Sequence, residues 1–353
     1  MTTREDSQMR FRTADGAIHS GRDESGHELF RVSMPADADG YFGRQCPSCK
    51  QIFRMRLEDY HGLPDDLRLT CPYCGNDDDH SEFLTDQQRN RAMQVARDAA
   101  MQLAHTAFEG LSTRSGSLSR SGVSITFRAT PFFPQPLPGI NEEALVRERQ
   151  CSACGVHYAV FGEHRFCPVS GLLSPIEIAF DSLAAEQAKL DVLSLVPTDQ
   201  VPALREQGVF ERINVDVLGR VVAIVEECAS TIFKARVLGA VTLLKGRGNV
   251  FQRLDEMAVL FHAELGIDLK AVPGVNWSDL TRLWATRHLH VHAGGIVDDK
   301  YLRAVPGSCL AKGQRVSVTD MDARRSIQQG RLLCDAINAN ETGEGGVRGD
   351  GPV

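Results

Sequence analysis

The sequence predicts a mainly α-helical chain with two small, cysteine-anchored β modules in its N-terminal half. Three observations carry this expectation. Cysteines come in C-x-x-C pairs, Cys46/Cys49, Cys71/Cys74 and Cys151/Cys154, with Cys167 following the last. From about residue 176 onward, apolar residues recur at helical spacing rather than in strand alternation. Between the cysteine groups, the stretch from Pro131 to Gly139 holds four prolines, which cannot continue regular structure.

At 353 residues the chain is long enough for two or three domains. Its 42% hydrophobic and 24% charged residues are the mix of an ordinary soluble protein. A net charge of −7 excludes a uniformly basic nucleic-acid coat but not a local basic face. The N-terminus lacks the apolar run of a secretory signal. The longest aliphatic run, Val221 to Val225, is far short of the roughly 20 residues that cross a bilayer. The expectation is therefore a cytoplasmic protein with no membrane partner. In that compartment, paired cysteines read as metal ligands sooner than as disulfides.

Residues 1–40 are polar, with little periodicity, and read as flexible. Residues 41–83 form the first cysteine module, 84–140 a helix plus a Ser/Arg- and Pro-rich linker, and 141–175 the second module. Residues 176–340 form a helical domain, and the Gly-rich 341–353 reads as a disordered tail. The first helix runs from Thr85 to about Leu111, with Thr85 or Asp86 as cap and Gly110 as stop. Val123 to Ala129 alternates like a strand. Further helices span about Val215–Lys245, Val250–Leu265, Trp277–His292 and Asp320–Ala339, with Gly266 closing the second and Gly294 and Gly295 the third. Residues 84–130 carry six arginines against three acids, which suits contact with an RNA backbone. One weak repeat opens both cysteine modules: Arg44-Gln45-Cys46 and Arg149-Gln150-Cys151.

Cys46-Pro-Ser-Cys49 and Cys71-Pro-Tyr-Cys74-Gly75 form two knuckles, each turning two sulfurs toward one ion. The pattern resembles a zinc ribbon. A closed four-thiolate site has no open position for water, so its role is structural, presenting a surface that could take a protein partner. The second module is degenerate. Cys151-Ser-Ala-Cys154-Gly155 is a full knuckle, but His164-Arg-Phe-Cys167-Pro-Val-Ser170-Gly171 has Ser170 where a second cysteine is expected. A second zinc site would take Cys151, Cys154, Cys167 and a histidine, with His164 the first choice and His157 the competitor. A decayed ribbon that keeps its fold without metal is the other reading.

The helix at 277–292 carries Arg287, His288, His290 and His292. Leu280, Leu283, Trp284, His288 and Val291 are expected to share one face. Arg287 and His292, five residues apart, point about 140° from each other around an ideal helix. Arg287-x₄-His292, followed by Gly-Gly-Ile-Val-Asp-Asp-Lys-Tyr-Leu, resembles the HEPN superfamily of helical domains, over roughly residues 210–340. The resemblance extends back to the helix that ends Phe261-His-Ala-Glu-Leu265-Gly266. It implies a C-terminal bundle of four or five helices, commonly a homodimer, in which a second copy of the helix eases convergence of the two side chains. It also implies metal-independent cleavage of RNA. His292 would be the acid or base, Arg287 would stabilise charge on the phosphorane-like transition state, and His288 would fill a polar position beside them. Ala293 departs from the asparagine often found there. The fold class expected is thus mainly α, with two small β zinc ribbons and a HEPN-like bundle, and the function expected is an endoribonuclease of stress or defence. The alternative is a non-catalytic RNA- or protein-binding adaptor. Cys228 and Cys334 fall among apolar helix residues and read as core thiols.

Overall fold

In the computed structural model, which describes residues 11–114, 132–140 and 148–339, every cysteine knuckle sits in the turn of a short antiparallel hairpin. The chain divides into two compact units, Met1–Phe161 with Arg165–Leu172, and Gly162–His164 with Leu173–Val353. The strand expected at 123–129 and the tail at 341–353 lie outside the described residues.

The first unit opens with a hairpin, β1 (Ala17–Arg22) and β2 (Glu28–Val32). The N-terminal stretch read as flexible is therefore folded over this part. The rings of Phe11 and Phe30 lie 5.3 Å apart, and the His19 ring lies 4.8 Å from Phe11. These side chains give a polar-looking sequence its own apolar anchor.

β3 (Tyr41–Gln45) and β4 (Ile52–Arg56) flank the first knuckle, and α1 (Leu57–His61) follows. β5 (Leu69–Thr70) and β6 (Asp77–Asp78) flank the second. Further on, β7 (Glu148–Gln150) and β8 (His157–Ala159) flank the third knuckle, and β9 (Phe166–Cys167) and β10 (Gly171–Leu172) the degenerate fourth. The two modules are not separate beads. They share one four-stranded sheet in the order β3-β4-β8-β7, with Arg54 opposite Ala159 and Met55 opposite Tyr158 at its centre. The outer knuckles meet reciprocally: Thr70 donates its backbone N–H to the Pro168 carbonyl at 2.8 Å, and Phe166 donates to that of Pro72 at 3.2 Å. The weak Arg-Gln-Cys repeat thus marks two halves related by a pseudo-twofold. Phe53, Met55, Leu69, Phe83 and Tyr158 are fully enclosed between them.

α2 (Asp86–Arg114) belongs to this first unit. Thr85 caps it in a capping box: Gln88 donates its backbone N–H to Thr85 Oγ1, and the Gln88 side chain accepts from Thr85 N, both at 3.2 Å. Gly110 does not end the helix. A single glycine in a helix interior costs only about 1 kcal/mol.

The second unit is helical: α3 (Pro175–Leu193), α4 (Val201–Glu206), α5 (Val209–Arg236), α6 (Ala240–Leu244), α7 (Leu254–Leu265), α8 (Trp277–Ala293), α9 (Asp299–Ala304) and α10 (Asp320–Asn338). Ser174 caps α3 and Thr319 caps α10, each in a full capping box, with Glu177 and Asp322 respectively. The long helix read at 215–245 is broken. Val237 is extended and Gly239 adopts φ +76°, so α5 ends at Arg236 and α6 is a separate turn. Gly239, inside the periodic stretch, is the stop signal. Similarly, Val250–Gln252 forms a 3₁₀ turn ahead of α7 rather than its first turn.

α5 supplies the centre of the core through Val217, Leu218, Val221, Val225 and Phe233, all buried. α3, α8 and α10 pack on it with Leu183, Leu190, Leu280, Leu283, Leu333 and Ile337. Gly330 on α10 permits the closest approach, since a Cβ there would stand 2.9 Å from Val221 Cγ1. Cys228 and Cys334 are buried in this core.

Candidate metal centres and arginine–histidine site

Three of the four knuckles begin with a cysteine whose N–H is tied back to the hairpin: Cys46 N to Gln51 O, Cys71 N to Asn76 O, Cys151 N to Val156 O. The residue after the second ligand position must then turn through the left-handed region. Gly75, Gly155 and Gly171 do so at φ +73°, +76° and +80°, and Lys50 does so at +63°. Lys50 is the one non-glycine residue with positive φ among the described residues. This turn aims backbone N–H groups at sulfur. Ser48 and Cys49 each donate to Cys46 Sγ at 3.4 Å, and Val169 and Ser170 donate to Cys167 Sγ at 3.4 and 3.5 Å. Such bonds orient and stabilise thiolate ligands.

The sulfurs of Cys46, Cys49, Cys71 and Cys74 lie within 4.8 Å of one another and could hold a metal ion. Cys46 and Cys74 are 3.7 Å apart, Cys49 and Cys71 3.6 Å. Four sulfurs at about 2.3 Å from a tetrahedral centre would stand about 3.8 Å apart, so the donor set fits. The second group holds three sulfurs, Cys151, Cys154 and Cys167, and could also hold an ion. Neither His164 nor His157 belongs to it. His164, expected as the fourth ligand, lies in the helical unit, where its Nδ1 pairs with Asp181 Oδ2 at 3.1 Å and both residues are buried. His157 pairs through Nδ1 with Asp59 Oδ2 at 2.9 Å. Ser170 Oγ, by contrast, stands 3.2 Å from Cys151 Sγ.

α8 is capped by the Asn276 side chain, which accepts from Asp279 N, and ended by Gly294 at φ +61°. Leu280, Leu283, Trp284, Thr286 and Leu289 form its buried face. Val291 departs from the expected stripe and is exposed, because Leu289 instead turns the buried face toward Val297 and Tyr301. His288 and His292, one turn apart, bring their rings to 4.6 Å between centroids. His290 lies on another face, against the Gly295 turn, where a Cβ at Gly295 would meet its ring at 2.9 Å. The glycine pair reverses the chain into α9, whose Asp298 cap accepts from Tyr301 N at 2.7 Å. That reversal sets Lys300 Nζ 3.3 Å from His288 Nε2. An ammonium can only donate, so the imidazole Nε2 accepts and its proton sits on Nδ1.

The side chains of His288, His292 and Lys300 thus gather at the C-terminal end of α8, with Arg287 on the same turn as His288. Burial comes first, then the charges of Lys300 and His292, in holding the His288 pKa below its ordinary 6.5; Asp298 pulls it up and Arg287 pushes it down again. The Arg287 Nε is buried with no hydrogen-bond partner among the described residues. Beside the cluster is a cleft of about 330 Å³, lined among others by Trp284, His288, Asp298, Lys300 and Tyr301. Lys300 is the residue that sequence reasoning passed over. It follows the Gly294–Gly295 pair by five residues, and its place depends on the reversal there.

Neither family models, nor curated proteins, nor solved structures provide a match to this chain. No helix among the described residues is long and apolar enough to cross a membrane.

Proposed function

We propose that the chain is a zinc-ribbon protein whose helical unit, of HEPN type, cleaves RNA without using a metal. The observation that carries this reading is His288 on the wall of an open cleft, with the His292 ring and Lys300 Nζ beside it and the Arg287 charge acting on it. Histidines paired with fixed cations suit phosphodiester chemistry. One imidazole takes the proton of the ribose 2′-hydroxyl as its oxygen attacks phosphorus. The other gives a proton to the departing 5′-oxygen, leaving a 2′,3′-cyclic phosphate and a 5′-hydroxyl. His292, exposed at the helix end, is the acid or base that reaches the substrate. His288, held neutral by its surroundings, supports proton transfer beside it. Arg287 and Lys300 stabilise the extra negative charge on the phosphorane-like transition state. A homodimer through the helical unit would place a second α8 against the first. Zinc is the metal proposed for the cysteine groups, because thiolate sets at tetrahedral spacing select it.

The test is cleavage of single-stranded RNA in excess EDTA by wild type, Arg287→Ala and His292→Ala, with product ends identified. Loss of cleavage in both variants and cyclic-phosphate ends are expected. Cleavage surviving either substitution overturns the site. An intact, metal-loaded protein that cuts no RNA would point to the adaptor instead.

A further inference from the structure

The two cysteine modules correspond knuckle by knuckle, and at the ligand positions they differ at one atom. Cys46, Cys49 and Cys71 correspond to Cys151, Cys154 and Cys167, and Cys74 corresponds to Ser170. The match extends to the backbone, since Gly75 and Gly171 follow at φ +73° and +80°. It extends to the atoms too. Cys49 and Cys71 sulfurs are 3.6 Å apart, and Cys154 and Cys167 are 3.5 Å apart. Cys46 Sγ stands 3.7 Å from Cys74 Sγ, and Cys151 Sγ stands 3.2 Å from Ser170 Oγ. The serine oxygen thus takes the corner of the missing sulfur. No histidine belongs to either group, and His164 is engaged with Asp181 in the helical unit.

We propose that the second ribbon holds a thiophilic divalent cation with the thiolates of Cys151, Cys154 and Cys167 and with the Ser170 hydroxyl oxygen at the fourth corner. That oxygen is a neutral, weak donor, so the corner exchanges with water or with a small thiol from solution. Ser170 and Cys154 are exposed, which leaves the corner open to such ligands. The first ribbon, with four thiolates, keeps its ion; the second is the labile site. A set of three protein ligands with a replaceable fourth is the arrangement that admits exogenous ligands at a metal. The inference rests on the reading of both cysteine groups as metal sites.

The experiment uses the full chain loaded with Co²⁺, followed by visible absorption and by transfer of the metal to a chromogenic chelator. Two ions per chain are expected, released in two phases. Ser170→Cys should remove the fast phase and add thiolate-to-metal absorption. Cys74→Ser should do the converse and make the slow phase fast. Excess 2-mercaptoethanol should shift the spectrum of wild type but not of Ser170→Cys. His164→Ala should leave both phases in place; should that variant not fold, the Ser170→Cys and Cys74→Ser results decide alone. Release in one phase, a single ion per chain, or a fast phase indifferent to Ser170→Cys overturns the proposal. A chain that takes up no metal at all overturns instead the metal reading on which it rests.

Discussion

Ser170 Oγ lies 3.2 Å from Cys151 Sγ, the place Cys74 takes beside Cys46 in the other half of the sheet. The likeness of the halves makes several residues comparable pairwise, and the molecule carries its own controls.

The hairpins around the outer knuckles have strands of two residues, Leu69–Thr70, Asp77–Asp78, Phe166–Cys167 and Gly171–Leu172. Strands so short do not stand alone in water, so metal binding should supply folding free energy to this unit. Stripping the proposed zinc with a strong chelator is expected to unfold the cysteine modules while the α5-centred core stays folded. Hydrogen exchange checks it: protection should vanish across residues 41–78 and persist across Val217–Phe233.

Lys50 adopts φ +63° where the other three knuckles have glycine. The left-handed conformation costs an ordinary residue roughly 1–2 kcal/mol, part of which glycine loses again through its freer unfolded chain. Lys50→Gly is therefore expected to stabilise the metal-loaded unit by up to about 1 kcal/mol. Gly155→Lys should destabilise it by a similar amount, because a Cβ at Gly155 meets nothing within 4 Å and only the backbone term changes. Denaturant melts of the two variants read opposite shifts, and shifts of the same sign would contradict the argument from φ.

Gly330 sits mid-helix in α10, where alanine is intrinsically better by about 1 kcal/mol. Its Cβ would nevertheless stand 2.9 Å from Val221 Cγ1 and 3.3 Å from Val225 Cγ2, both in the fully buried face of α5. Overpacking a dense core costs about 1–3 kcal/mol, so the clash should exceed the propensity gain. Gly330→Ala should lower the melting temperature of the helical unit. An unchanged or raised value would show that α10 can shift freely.

His288 should titrate below 6.5, with burial as the first cause and the Lys300 and His292 charges next. The unfolded chain then takes its proton at a higher pH than the folded one. Stability from this residue is full above 6.5 and is lost as pH falls from there through the folded value. Cleavage that needs neutral His288 should decline over the same range. Lys300→Ala removes a positive neighbour and should move the midpoint upward. The imidazole C2–H signal followed by NMR reads both values; a wild-type midpoint at or above 6.5 would refute the assigned surroundings.

Several features were legible before any coordinates. The cysteine clusters follow from C-x-x-C spacing, and the left-handed turns follow from Gly75, Gly155 and Gly171. Helix ends at Gly266 and Gly294, and the cap at Thr85, follow from local chemistry. What failed was also local in part. Gly239 lay inside an apolar repeat strong enough to hide it, and the hairpin at residues 17–32 has too few apolar residues to stand out from its charges.

The sequence by itself determined the knuckles, the caps and the helical periodicity of this chain, because each depends on atoms within a few residues of one another. Tertiary structure alone decided that β4 pairs with β8 and merges the two cysteine modules into one sheet. It likewise placed His164 on Asp181 and Lys300 on His288. Those contacts depend on which apolar faces are buried together. Enclosing Phe53, Met55 and Tyr158 sets the strand pairing of the sheet, and enclosing Leu289, Val297 and Tyr301 brings α9 back to α8. Polar side chains then meet the partners that the buried faces have already carried into reach.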